Sequence, residues 1–167
     1  MEPTEPLMAT EYAKLDELDG WYERPLLYLA GPIRGPYGLE HHDAILTHVM
    51  MARTWALEFW RRGFAVICPH MNTFMMDGAL DVKAIMKGDL AMLYRCDAVF
   101  MTTGWRESDG ALKEKLFAEQ HGIPVFTALI DLMKWYCTWQ ENPPKKPEIS
   151  LTPAGSGDIL GPEDMDD

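Results

Sequence analysis

The sequence predicts an α/β protein built on an open, doubly wound parallel sheet. Two observations carry that prediction: apolar runs of strand length alternate with longer segments of helical period, and the connections between them are short. Leu26-Leu27-Tyr28-Leu29-Ala30 is a continuous apolar run suited to a buried strand, and Gly31-Pro32 ends it. From His41 to Arg62 the apolar residues Ile45, Val49, Ala52, Ala56 and Phe59 recur every three or four positions, which predicts a long amphipathic helix stopped by Gly63. Phe64 to Cys68, before Pro69, reads as the second strand, and His70 to Leu80 as a loop. A helix from Asp81 to Arg95 follows, then a third strand over Asp97 to Thr102, a helix from Ala111, a fourth strand over Pro124 to Leu129, and a last helix from about Ile130 to Gln140.

Strict alternation of this kind implies right-handed crossovers with helices on both faces, a flavodoxin- or Rossmann-like three-layer α/β/α arrangement. In such sheets the binding site lies beyond the carboxyl ends of the strands, at a switch point. That rule gathers Gly31 to Gly35 after strand one, His70 to Thr73 after strand two, and Gly104 to Gly110 after strand three along one edge.

The chain has 167 residues, 47% of them hydrophobic, which is enough for one domain with a real core. Its net charge of −11 belongs to the ends. Residues 1–24 and 141–167 each hold seven acids against two bases, whereas the middle holds twelve against eleven. Hence the expected organisation is an acidic extension over 1–24, a central folded domain over 25–140 and a Pro/Gly-rich acidic tail over 141–167, expected to be disordered. A short helix over residues 9–19 is a further expectation. A near-neutral middle with acidic flanks argues against a nucleic-acid polymer as partner, which would call for a clustered basic face. No run approaches the ~20 apolar residues of a membrane span, and the acidic start is unlike a secretory signal, so the cytoplasm is the expected compartment. Cys68, Cys96 and Cys137 have neither disulfide-framework nor zinc spacing and are read as buried free thiols. His41, His42 and His48 lack a companion carboxylate or cysteine set, so neither a metal nor a cofactor is expected.

Two acids stand out. A step of 100° per residue places Val82, Ile85, Met86 and Leu93 on one stripe of the Asp81 helix, and Asp89 falls inside it. Glu114 lies three residues after Ala111 and four before Ala118, on a small-residue edge able to approach the sheet closely. An ionised carboxylate costs several kcal/mol to bury without a partner, so two acids in core-facing positions point to a site. A plainer reading of each remains: Asp89 as a structural acid, Glu114 as a first-turn glutamate favoured by the helix dipole.

Tyr28-Leu29-Ala30-Gly31-Pro32-Ile33-Arg34-Gly35, Gly88-Asp89-Leu90 with Arg95-Cys96-Asp97-Ala98-Val99, and Ser108-Asp109-Gly110-Ala111 leading to Glu114 together resemble the nucleoside 2-deoxyribosyltransferase-like superfamily, which includes the nucleoside 5'-monophosphate N-glycosidases. The likeness covers roughly Leu26 to Phe126. Through Gly104-Trp105 and Cys68 to Thr73 it runs to the phage and bacterial branch of that superfamily, whose activity is unassigned. The resemblance implies cleavage of an N-glycosidic bond, with Glu114 as nucleophile, Asp89 binding the sugar and assisting proton transfer, and Tyr28 as an active-site tyrosine. It implies that Gly31, Ile33, Arg34, Gly35, Ser108 and Gly110 hold a 5'-phosphate, and that the protein forms a homodimer or larger homo-oligomer. Trp55, Trp60, Trp135 and Trp139 are the aromatic residues expected at such contacts. Asp109, beside Ser108, would repel a phosphate unless it turns outward to cap the helix. His70 faces the expected crevice, and Trp105 is placed to lay an indole over a base.

The expected ligand is therefore a small nucleotide or nucleoside, and the expected reaction is release of its base. Transfer of the base, as in a nucleoside 2-deoxyribosyltransferase, is one alternative. Removal of nicotinamide from NAD and binding without turnover, as in a nucleotide-binding regulator, are others, and fold alone does not separate them.

Overall fold

The computed structural model describes residues 23–33, 42–73, 76 and 79–144, the side chains of 42–44 excepted. The N-terminal extension with its expected helix, Arg34, Gly35 and the tail beyond Pro144 lie outside the described residues. Strands β1 (Leu26–Ala30), β2 (Ala65–Ile67), β3 (Ala98–Met101) and β4 (Val125–Phe126) alternate with helices α1 (His42–Arg61), α2 (Pro69–Thr73), α3 (Val82–Leu93), α4 (Asp109–Gln120) and α5 (Leu129–Glu141). The four strands form one parallel sheet in the order β2-β1-β3-β4, so the chain winds outward in both directions from β1 and β3. The protein is thus a three-layer α/β/α fold of Rossmann-like type. No helix of the described residues is long and apolar enough to cross a membrane.

Strand periodicity assigns the two faces. Leu27 and Leu29 of β1 join Phe100 of β3, Ala52, Ala56 and Phe59 of α1, and Leu132 and Tyr136 of α5 in one core. Tyr28 and Ala30 point the other way, into a second core with Val99 and Met101, Leu93 of α3, and Ala111 and Ala118 of α4. Because both faces are covered, the strands read as continuous apolar runs rather than as alternating ones.

Several expectations are corrected. The stretch from His70, expected as a loop, opens with the short helix α2: Pro69 stands at its first position, where a missing N–H costs nothing, and Thr73 Oγ1 donates back to Pro69 O at 2.9 Å. Strand β4 covers only Val125–Phe126, because α5 begins at Leu129. Cys68 and Cys96 are buried, but Cys137 is exposed on α5. Trp55, partly buried, has its ring centroid 5.7 Å from Phe59 and 5.0 Å from Phe100. Trp135 likewise packs on Phe126 at 5.7 Å, whereas Trp60 stays 44% exposed.

A candidate active site at the carboxyl ends of the strands

The switch point lies between β1 and β3, and a cavity of about 480 Å³ opens there. Gly31 and Ile33 after β1, Pro69, His70 and Thr73 after β2, and Glu107 to Gly110 after β3 supply one part of its wall. Helix α3 supplies Val82, Ile85, Met86 and Asp89; helix α4 supplies Ala111, Lys113 and Glu114. The stripe that sequence periodicity marks on α3 is thus core only at Leu93, while its first two turns are cavity wall. That stripe carried the signal for Val82, Ile85 and Met86, but its period cannot distinguish a core from a cavity. Thr73 and Glu107 fall within the loops that the switch-point rule gathers, although neither was singled out, whereas Lys113 carried no signal.

Glu114 is 6% exposed and Asp89 7% exposed, and both face this cavity. Ala111 and Ala118 hold the Glu114 edge of α4 against the sheet because neither side chain extends past its Cβ. Fully buried Tyr28 donates its hydroxyl proton to Glu114 Oε1 at 2.7 Å. Burial pushes the Glu114 carboxyl up to about 8, with the Asp89 charge adding to the rise and the Tyr28 hydrogen bond opposing it. Burial alone pushes Asp89 up to about 6. Tyr28 is held well above its ordinary value, by burial first and then by Glu114, so it remains a donor. Tyr28 is not among the cavity walls and acts on the site through Glu114.

His70, 4% exposed, is fixed by Nε2 against Pro32 O at 3.0 Å. A carbonyl only accepts, so Nε2 carries the proton. Burial lowers the imidazole below its ordinary value, against the pull of the Pro32 and Gly31 carbonyls, and the ring is neutral at physiological pH. Gly31 has a packing reason beside its place on the cavity wall: a Cβ there would meet Thr102 Oγ1 at 1.9 Å. Gly110 has none, since a Cβ would meet nothing nearer than Met86 Cε at 3.5 Å.

The start of α4 differs from expectation. Ser108 is the N-cap, its Oγ accepting from Ala111 N at 3.3 Å, so Asp109 is not turned outward by capping. Asp109 sits in the first helical turn and lines the cavity together with Glu107. With Asp89 and Glu114 this puts four carboxyl groups around the cavity, against Lys113 among the described residues. Trp105 is brought to the loop after β3 but not to the cavity wall; its indole packs on the second core under the Arg106 guanidinium, 4.5 Å from the ring centroid. Tyr28, Gly31, Ile33, His70, Asp89, Ser108, Gly110 and Glu114 are therefore brought together, directly or through one hydrogen bond, and Trp105 is set aside.

Residues 25–127, from the start of β1 to just beyond β4, match a family model described as a domain of unknown function, DUF4406. No curated protein and no solved structure matches the chain.

Proposed function

The chain belongs to the DUF4406 family, a domain of unknown function, and for this member we propose cleavage of the N-glycosidic bond of a nucleoside or nucleoside 5'-monophosphate. The observation that carries this reading is the pair Asp89 and Glu114, buried on one cavity, with Glu114 fixed from below by Tyr28. Cleavage through an oxocarbenium-like state requires one carboxylate under C1' and one acid at the departing base. A pair titrating near 6 and near 8 holds a single proton between those values, which is the protonation state that this division of labour requires.

The superfamily likeness assigns the nucleophile to Glu114. Its carboxylate attacks C1', the C1'–N bond breaks, the electron pair leaves with the base, and the base nitrogen takes the proton from Asp89. Water then attacks C1', gives a proton to Asp89 and frees the Glu114 carboxylate. At rest the proton favours Glu114, the less acidic of the two; the positive charge developing at C1' favours an ionised Glu114 and so drives the proton to Asp89. Tyr28 occupies Oε1 and so orients the carboxyl, leaving Oε2 for attack.

Glu107 and Asp109 favour the nucleoside over its monophosphate, since a dianion at the start of α4 would lie beside both. The protein is proposed to act in the cytoplasm as a homo-oligomer. Incubation with nucleosides, their 5'-monophosphates and NAD, followed by chromatography for free base, tests the reading. Free base that disappears with Glu114→Gln supports it; base exchanged between two nucleosides marks a transferase, and release of nicotinamide alone marks the NAD reaction. Binding of these compounds without base release would overturn turnover in favour of a nucleotide-binding regulator.

A further inference from the structure

Two residues that line the cavity each bury an acceptor atom, His70 Nδ1 and Asp89 Oδ1, that has no hydrogen-bond partner among the described residues. Asp89 belongs to the proposed chemistry. His70 does not, and its state is fixed by geometry: Nε2 donates to Pro32 O, so in the neutral ring Nδ1 is a bare lone pair. Burial, which lowers the imidazole below its ordinary value, keeps the ring in that form. A buried acceptor left unfilled is costly, and a site built around one discriminates against ligands that bring no donor to it.

We propose that His70 is a specificity-determining residue whose Nδ1 accepts a hydrogen bond from a hydroxyl or N–H group of the ligand, so that the cavity selects a donor-bearing nucleoside over an otherwise identical analogue lacking that donor. The residue reads the ligand through an acceptor whose tautomer is set by the backbone of the loop after β1, outside the bond-breaking pair. This inference rests on the nucleoside reading of the site, and its test uses binding rather than turnover.

Affinities of adenosine, guanosine, cytidine and uridine are measured by calorimetry on Glu114→Gln protein. For the tightest binder, analogues lacking the 2'-, 3'- or 5'-hydroxyl, or with a base N–H methylated, are then compared. One deletion is expected to weaken binding by roughly tenfold to a hundredfold. Two second-site variants separate recognition from loop support. His70→Gln places an amide nitrogen near the Nε2 position, keeping the Pro32 contact while removing the acceptor; His70→Asn places a carbonyl oxygen near the Nδ1 position and gives up the Pro32 contact. Collapse of the discrimination in His70→Gln and its survival in His70→Asn support the proposal. Discrimination that survives His70→Gln, or that is lost only in His70→Asn, overturns the proposal and leaves the nucleoside reading intact. If none of the four nucleosides binds, both fall.

Discussion

Tyr28 and Glu114, 86 positions apart in the chain, meet in a 2.7 Å hydrogen bond beneath the cavity floor. The tyrosine is reached from the middle of β1 and the glutamate from the second turn of α4, so the contact exists only because the strand and the helix share the second core. It fixes one carboxyl oxygen and opposes the rise that burial imposes on the carboxyl.

Glu114→Gln is expected to abolish base release while the fold is kept, because the amide still accepts from Tyr28 but cannot attack C1'. Asp89→Asn removes the acid and is expected to cost on the order of a hundredfold to ten-thousandfold in kcat. Chromatographic rates, with circular dichroism as the folding control, check both. Full rate in Glu114→Gln would sink the mechanism.

Activity is expected to be bell-shaped in pH, rising through about 6 as the pair loses its first proton and falling through about 8 as it loses the second. Tyr28→Phe removes a hydrogen bond that favours the charged carboxylate, so the alkaline limb should move to higher pH. A Tyr28→Phe profile that only loses height, with its limbs unmoved, would reduce Tyr28 to a packing residue.

Stability should fall as pH rises. Both acids have folded-state values raised above their ordinary ones, so the native chain binds the extra protons; the stabilisation is complete below the ordinary carboxylate range and is lost as pH climbs through about 6 and then about 8. Glutamine mimics the protonated acid. Glu114→Gln should therefore melt higher than wild type in alkaline buffer and close to it in mildly acidic buffer, as differential scanning calorimetry would read.

Gly31→Ala is expected to destabilise the protein by about 1–3 kcal/mol, because the new Cβ meets Thr102 Oγ1 at 1.9 Å. Thr102→Ala removes that oxygen and should restore part of the loss. Denaturant unfolding of the two single variants and the double variant measures the coupling, and strict additivity would mean that the backbone moves aside instead.

A nucleoside should be processed at least as well as its 5'-monophosphate, and Asp109→Asn should raise the rate on the monophosphate more than that on the nucleoside. Parallel kinetics on the two substrates, at low and high salt, decide the matter. A strong wild-type preference for the monophosphate, erased by Arg34→Ala, would show instead that Arg34 outweighs both acids.

The sequence by itself determined the alternation of elements and both acidic positions. Strand β1 runs over Leu26–Ala30 as its apolar run predicts, and Asp89 and Glu114 are buried where helical period places them, because these features depend on spacing along a few turns of chain. Tertiary structure alone decided what surrounds them. Whether the Val82, Ile85 and Met86 stripe faced a core or a cavity depended on how α3 packs beside α4, and the short helix that carries His70 was hidden by a proline that reads equally as a strand end or a helix start. The cap of α4 fell to Ser108 and left Asp109 on the cavity, a choice of one residue that local composition does not make. The His70 tautomer, set by Pro32 O, and the Tyr28 bond to Glu114 join residues 38 and 86 positions apart. Periodicity records which side of an element is buried, whereas hydrogen bonds between distant residues arise only when the sheet and its two helical layers close on one another.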